Sequence, residues 1–233
     1  MENIPFYVYA TFGLTLITTL YLFYRATPQS KGFIALLSVW LLVQSIAGIS
    51  GFYTMTHAMP PRFQLLLAPP LVVTIVLFST RRGRAFIDGL DLKVLTIIHS
   101  IRIPVELVLY WLFIGKAVPE LMTFEGRNFD IIAGLTAPLV YYFVFVKQTW
   151  GKPLLITWNI ISMGLLFNII INALLSASTP FQQFGFEQPN IAVLHFPFLF
   201  LPACIVPLIL FSHLASIRQL LLNKSVLPIS THK

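Results

Sequence analysis

Long apolar runs separated by short polar breaks set the pattern of this chain, and seven of the runs are long enough, at about 20 residues, to cross a bilayer as helices. They cover 5–24, 33–54, 63–80, 92–115, 128–147, 153–178 and 191–213. The breaks carry turn signals. Pro28 lies between the first two runs, His57, Pro60 and Pro61 lie between the second and third, and Pro153 opens the sixth at a position where a missing N–H has no partner to lose. After the third run comes Arg81-Arg82-Gly83-Arg84, then a short amphipathic piece at 85–90 expected to lie at the interface. The pattern predicts an all-α, polytopic integral membrane protein: a seven-transmembrane-helix bundle over 1–217, followed by a cytoplasmic tail over 218–233 that is first amphipathic and then disordered.

The fourth run breaks its own apolar pattern. His99, Arg102 and Glu106 fall within an arc of about 60° at 3.6 residues per turn, and Tyr110 extends the stripe. A charged side chain at bilayer depth costs about 3 kcal/mol on insertion scales, so such a stripe faces a bundle interior or a cavity. Arg102 and Glu106 stand at i,i+4, within reach for mutual neutralisation. Pro104 between them cannot donate to the carbonyl of Ser100, which predicts a kink with a freed backbone acceptor. Two readings follow: an internal ion pair that fixes helix packing, or a site for a ligand, a proton or an ion.

Composition agrees with membrane residence. The 233 residues are 57% hydrophobic and 10% charged, too little polar surface for a soluble globule of this size. The net charge of +7 would suggest nucleic acid in a soluble protein, but the basic residues sit in short loops, where they act as topology signals. Arg25, Lys31, Arg81, Arg82, Arg84, Lys93, Lys147, Lys152, Arg218, Lys224 and Lys233 fall on one side, and Arg62, Lys116 and Arg127 on the other. This asymmetry predicts an outside N-terminus and a cytoplasmic C-terminus, with a bacterial inner (plasma) membrane as the expected location. The first run has no basic stretch before it and no small-residue cleavage site behind it, so it is expected to be retained as a helix. The single cysteine, Cys204, lies in an apolar run and reads as packing.

Partners for the polar stripe are sought on the other runs. His195, near the outer end of the seventh, differs in depth from His99 by about 10 Å or more, which disfavours a shared metal ion. It groups better with Glu106 and with Asp130 at the outer start of the fifth run, unless it simply bonds between helices. Asn168, Asn172 and Ser176 form an inward stripe on the sixth run, with Asn159 and Ser162 nearer the cytoplasm, and interhelical packing is the commoner role of such stripes. Asn128 is a competent N-cap for the fifth run and Asp130 suits its positive end, an alternative to an outer gate in which Arg127 pairs with Glu125 or Asp130. Trp111, Tyr141, Trp150 and Trp158 read as interface anchors, and Gln44, Ser45, Gly48 and Gly51 as a close-packed helix face. A 3+1+3 repeat is numerically possible, with only the prolines of the third and seventh runs in common.

The seventh run contains no lysine, which argues against a retinal-attaching protein, and no nucleotide loop, HExxH or GxSxG occurs. The best-supported expectation is a polar intramembrane pocket that binds or transports a small solute, an ion or protons, built from Arg102, Glu106, His195, Asn168, Asn172, Asp130 and His99. Alternatives are an intramembrane enzyme acting on a lipid or isoprenoid, with His195 or Glu106 taking a proton, and a non-catalytic sensory or assembly subunit. The expected partners are the bilayer and a small-molecule or lipid ligand; no metal or nucleic acid is expected, and no pattern points to a cofactor.

Overall fold

A computed structural model describes residues 4–28, 31–55 and 61–222; His57 with most of the break around it, and the predicted tail beyond Leu222, lie outside the described residues. Among the described residues all regular structure is helical. Five stretches are long and apolar enough to cross a membrane: Phe6–Ala26, Gly32–Ile49, Leu92–Ile114, Lys152–Ser176 and Leu201–Leu222. Helices α3 (Gln64–Ser79) and α4 (Arg81–Asp88) form a pair bent by 94°, which raises the number to six if the pair is one span. The fifth predicted run forms a shorter apolar helix, Asp130–Val146, made of α7 (Asp130–Tyr141) and a π turn, Tyr142–Val146. Hydropathy predicts seven spans, and five to six stretches of spanning length and composition occur among the described residues.

The right-angle corner between α3 and α4 is built locally. Thr80 Oγ1 accepts from Gly83 N at 3.1 Å, and Arg84 Nη1 donates to the carbonyls of Phe78 and Ser79 at the end of α3. A Cβ on Gly83 would stand 2.3 Å from the Leu77 carbonyl oxygen, so only glycine permits this approach. Helix α4 then lies against α9 (Val206–Leu222): Arg218 makes two 2.9 Å bonds to the Asp88 carboxylate, and Gln219 Nε2 donates to the carbonyls of Ile87 and Leu90.

The span Leu92–Ile114 is not one regular helix. Helix α5 (Leu92–Ile97), capped by Asp91 accepting from the Lys93 and Val94 N–H groups, passes through a 3₁₀ turn, Ile98–Ile101, into α6 (Arg102–Ile114). Pro104 therefore sits in the first turn of α6, where its missing N–H has little to break. The discontinuity expected at the proline is absorbed one turn earlier. Residues i and i+3 eclipse in a 3₁₀ turn, so His99 and Arg102 project in nearly the same direction.

The seventh predicted run, 191–213, needs correction. A 3₁₀ turn, Ala192–Leu194, is followed by turns and then a π turn, Leu201–Ile205, before α9 runs to Leu222. Pro197, Pro202 and Pro207 each withhold an N–H, which delays regular helix until the last span is partly traversed. The carbonyl of Ala203, to which Pro207 has no N–H to offer, accepts instead from the Trp40 indole at 2.8 Å, tying α2 (Lys31–Ile49) to the last span. Helix α1 (Phe6–Ala26) packs along α5 and α6, while α7, α8 (Lys152–Ser176) and α9 close around them.

Candidate functional site

Helices α6, α7, α8 and α9 enclose the polar stripe and supply its partners. Arg102, 2% exposed, donates through Nη1 to Asp130 Oδ1 at 2.9 Å and to the Ser162 carbonyl at 3.2 Å, and through Nη2 to His213 Nε2 at 2.8 Å. Asp130, the first residue of α7, reaches Arg102 because Gly134, one turn on, lets the two helices approach. A Cβ there would stand 3.0–3.1 Å from Ile103 and Arg102, close enough to push them apart.

The tautomer of His213 follows from its neighbours. Asn159 Nδ2 donates to the Leu155 carbonyl at 2.8 Å, which leaves Oδ1 as an acceptor facing His213 Nδ1, also at 2.8 Å. His213 thus carries its proton on Nδ1 and offers the bare Nε2 to the guanidinium; it is a neutral imidazole held at both nitrogens. His99 stacks on it, ring centroids 3.9 Å apart and planes within 15°, with Trp158 edge-on to His99 at 5.4 Å. Trp158, expected as an interface anchor, instead donates its indole N–H to Thr136 Oγ1 at 2.9 Å within the bundle. Neither ring nitrogen of His99 has a hydrogen-bond partner among the described residues.

Glu106, 1% exposed, is engaged separately. Asn128 Oδ1 accepts from Asp130 N at 3.0 Å, so its Nδ2 is the donor, to Glu106 Oε1 at 2.6 Å and to the Met122 carbonyl at 3.0 Å. Glu106 Oε2 has no hydrogen-bond partner among the described residues. Glu106 and Asp130 line a cavity of about 90 Å³ whose other walls are apolar, drawn from α3, α6, α8 and the start of the last span.

The structure thus brings together Arg102, Asp130, Glu106 and His99, and leaves His195, Asn168 and Asn172 apart from them. Arg102 and Glu106 do not neutralise each other directly: Arg102 pairs with Asp130 and Glu106 with Asn128. His99 is joined to Arg102 through His213, on which it stacks. The ring of His195 is half-buried and bonds to none of Glu106, Asp130 or Asn172. Asn168 donates to the Arg127 carbonyl at 2.7 Å and Asn172 to Asn168 at 3.3 Å, bracing the loop that enters α7. Arg127 lies over the Phe184 ring, 5.3 Å from its centroid, rather than pairing with Asp130. Among the described residues no group of three or more His, Cys, Asp or Glu side chains is placed to hold a metal ion.

His213, Asn128, Asn159 and Ser162 are the members that sequence reasoning did not assign to the site. The signal for His213 was its place in a polar stripe with Ser216 and Gln219, all buried, at helical spacing.

Several long apolar helices with their polar and charged groups turned inward define a class, multi-helix proteins built compatibly with a membrane. Within it, the chain belongs to the family described as Domain of unknown function (DUF8737), matched over residues 60–221. That region holds every member of the network and begins just before α3. No curated protein and no solved structure matches the chain.

Proposed function

We propose that the protein spans a bacterial inner membrane seven times, N-terminus outside and C-terminus cytoplasmic, and that Glu106 binds a proton or a small cation in the service of transport. The seven spans are the five of full length, α3, whose 16 residues rise about 24 Å before the chain turns into α4, and Asp130–Val146, whose 17 residues rise about 26 Å. The Asp88–Arg218 pair puts the basic helix α4 and the end of α9 on one side, which supports a cytoplasmic C-terminus.

The observation that carries the functional reading is that Glu106, whose buried Oε2 has no hydrogen-bond partner among the described residues, is one of the two polar residues lining the cavity. Charge accounting gives it meaning. The groups around it are Arg102, Asp130, the neutral His213 and His99, and the uncharged Asn128; Arg102 is matched by Asp130, so an ionised Glu106 is the unmatched charge. An unmatched buried carboxylate either takes a proton or holds a cation. Because Oε1 already accepts from Asn128, the proton belongs on Oε2. The intramembrane-enzyme reading draws less support, since Asp130 is held by Arg102 and His195 is not among the cavity-lining residues.

In vesicles containing the purified protein and a pH-sensitive dye, an imposed proton gradient is expected to dissipate faster than in protein-free vesicles. Glu106→Gln, checked by thermal unfolding to be folded, should abolish the difference. Flux unchanged in a folded Glu106→Gln protein overturns the reading.

A further inference from the structure

The walls of the Glu106 cavity say which cation suits it. Glu106 and Asp130 are its polar lining residues, and Asp130 already accepts from Arg102. A hydrated inorganic ion entering here would shed water and find few oxygens in return, whereas hard cations need six or more. The half-exposed lining residues are Phe63 and Leu67 at the start of α3, Ile170, Ala173 and Leu174 on α8, and Val193, Pro202 and Val206 on the chain leading into α9, so the opening is bordered by apolar faces of α3, α8 and the last span. On the proposed topology those faces meet the outer half of the bilayer, and a ligand would arrive through lipid rather than through water.

Resting on the reading of Glu106 as a cation site, we propose that its ligand is a lipophilic amine: an alkylammonium whose head bonds to Oε2 and whose chain lies between α3 and α8. The head matches the charge of the carboxylate and supplies the N–H donor that Oε2 lacks. At about 90 Å³ the cavity is smaller than the ~150 Å³ engineered cavity that accepts benzene, so it takes the ammonium with its first carbons and leaves the remaining chain in the lipid-facing opening.

The test uses the full chain in nanodiscs of zwitterionic lipid, with thermal unfolding read against n-octylamine, 1-octanol, octanoate and methylammonium, each at matched concentration in the bilayer or, for methylammonium, in water. Octylamine is expected to raise the melting temperature saturably and to bind about tenfold or more tighter than octanol, octanoate or methylammonium. Glu106→Gln should remove the preference for octylamine over octanol. Leu174→Trp, at the half-exposed mouth, should weaken octylamine about tenfold, and Ala173→Trp provides a second obstruction should the first fail to fold. Equal binding of octanol and octylamine, or undiminished octylamine binding in a folded Leu174→Trp or Ala173→Trp protein, overturns the proposal. Methylammonium bound as tightly as octylamine in a Glu106-dependent manner also overturns it, while leaving the cation-site reading intact. Loss of that reading is seen separately, as proton flux indifferent to Glu106→Gln.

Discussion

Two spans of similar apolar character occupy opposite situations. Of Leu201–Leu222, 67% is buried inside the protein, against 11% of Gly32–Ile49. The buried span carries Ser212, His213, Ser216 and Gln219 on its enclosed surface, whereas α2 turns Leu36, Val39, Leu42, Val43 and Ile46 outward and buries Gln44. Apolar groups both pack the interior and face the surroundings, while these polar groups are kept inside. Hydropathy sees the average of a span and misses this division, because in lipid the exposed face is as apolar as any core.

The comparison breaks most visibly at Arg102. Arg102→Met leaves the Asp130 carboxylate and His213 Nε2 buried without their donor, and is expected to destabilise by about 3–5 kcal/mol in unfolding measurements on detergent-solubilised protein. Arg102→Met combined with Asp130→Leu removes both charges of the pair and should unfold at a higher denaturant concentration than the single variant. Next comes the contact that joins the two regions. Trp40→Phe removes the donor to the Ala203 carbonyl and should cost about 1–2 kcal/mol by the same measurement. The smallest effect belongs to the outward face of α2, where Leu42→Ala, at a side chain 61% exposed, should stay within about 0.5 kcal/mol. A cost for Leu42→Ala comparable to that of Arg102→Met would erase the distinction between the two spans.

How much of this was legible beforehand divides along physical lines. Arg102, Glu106 and Asp130 stood out because charge in an apolar run is costly wherever the helix ends fall. The choice of partners depended on where the ends fell. An apolar run over 191–213 places His213 at a span terminus, but three prolines shift the regular helix toward the chain's C-terminal side, and His213 becomes an interior residue level with Arg102. The same shift leaves His195 in a turn before the helix, away from Glu106. Asn128 was recognised for its backbone bond and not for its side-chain donor, since one amide can serve both and the second partner lies 22 residues away. Gly134 gave no signal at all, because a close helix approach is a property of two elements together.

The tie between α4 and α9 also works as a depth gauge. Helix α4 runs nearly perpendicular to α3, so on the proposed topology it rests along the membrane surface, and Gln219 is bonded to its end. His213 stands six residues earlier on α9, about 9 Å inward at 1.5 Å per residue. On that topology the surface helix registers the whole polar cluster against the bilayer, holding the Arg102–His213 contact nearly two helical turns away from the water on that side, and the ion pair that fastens it is itself in reach of solvent.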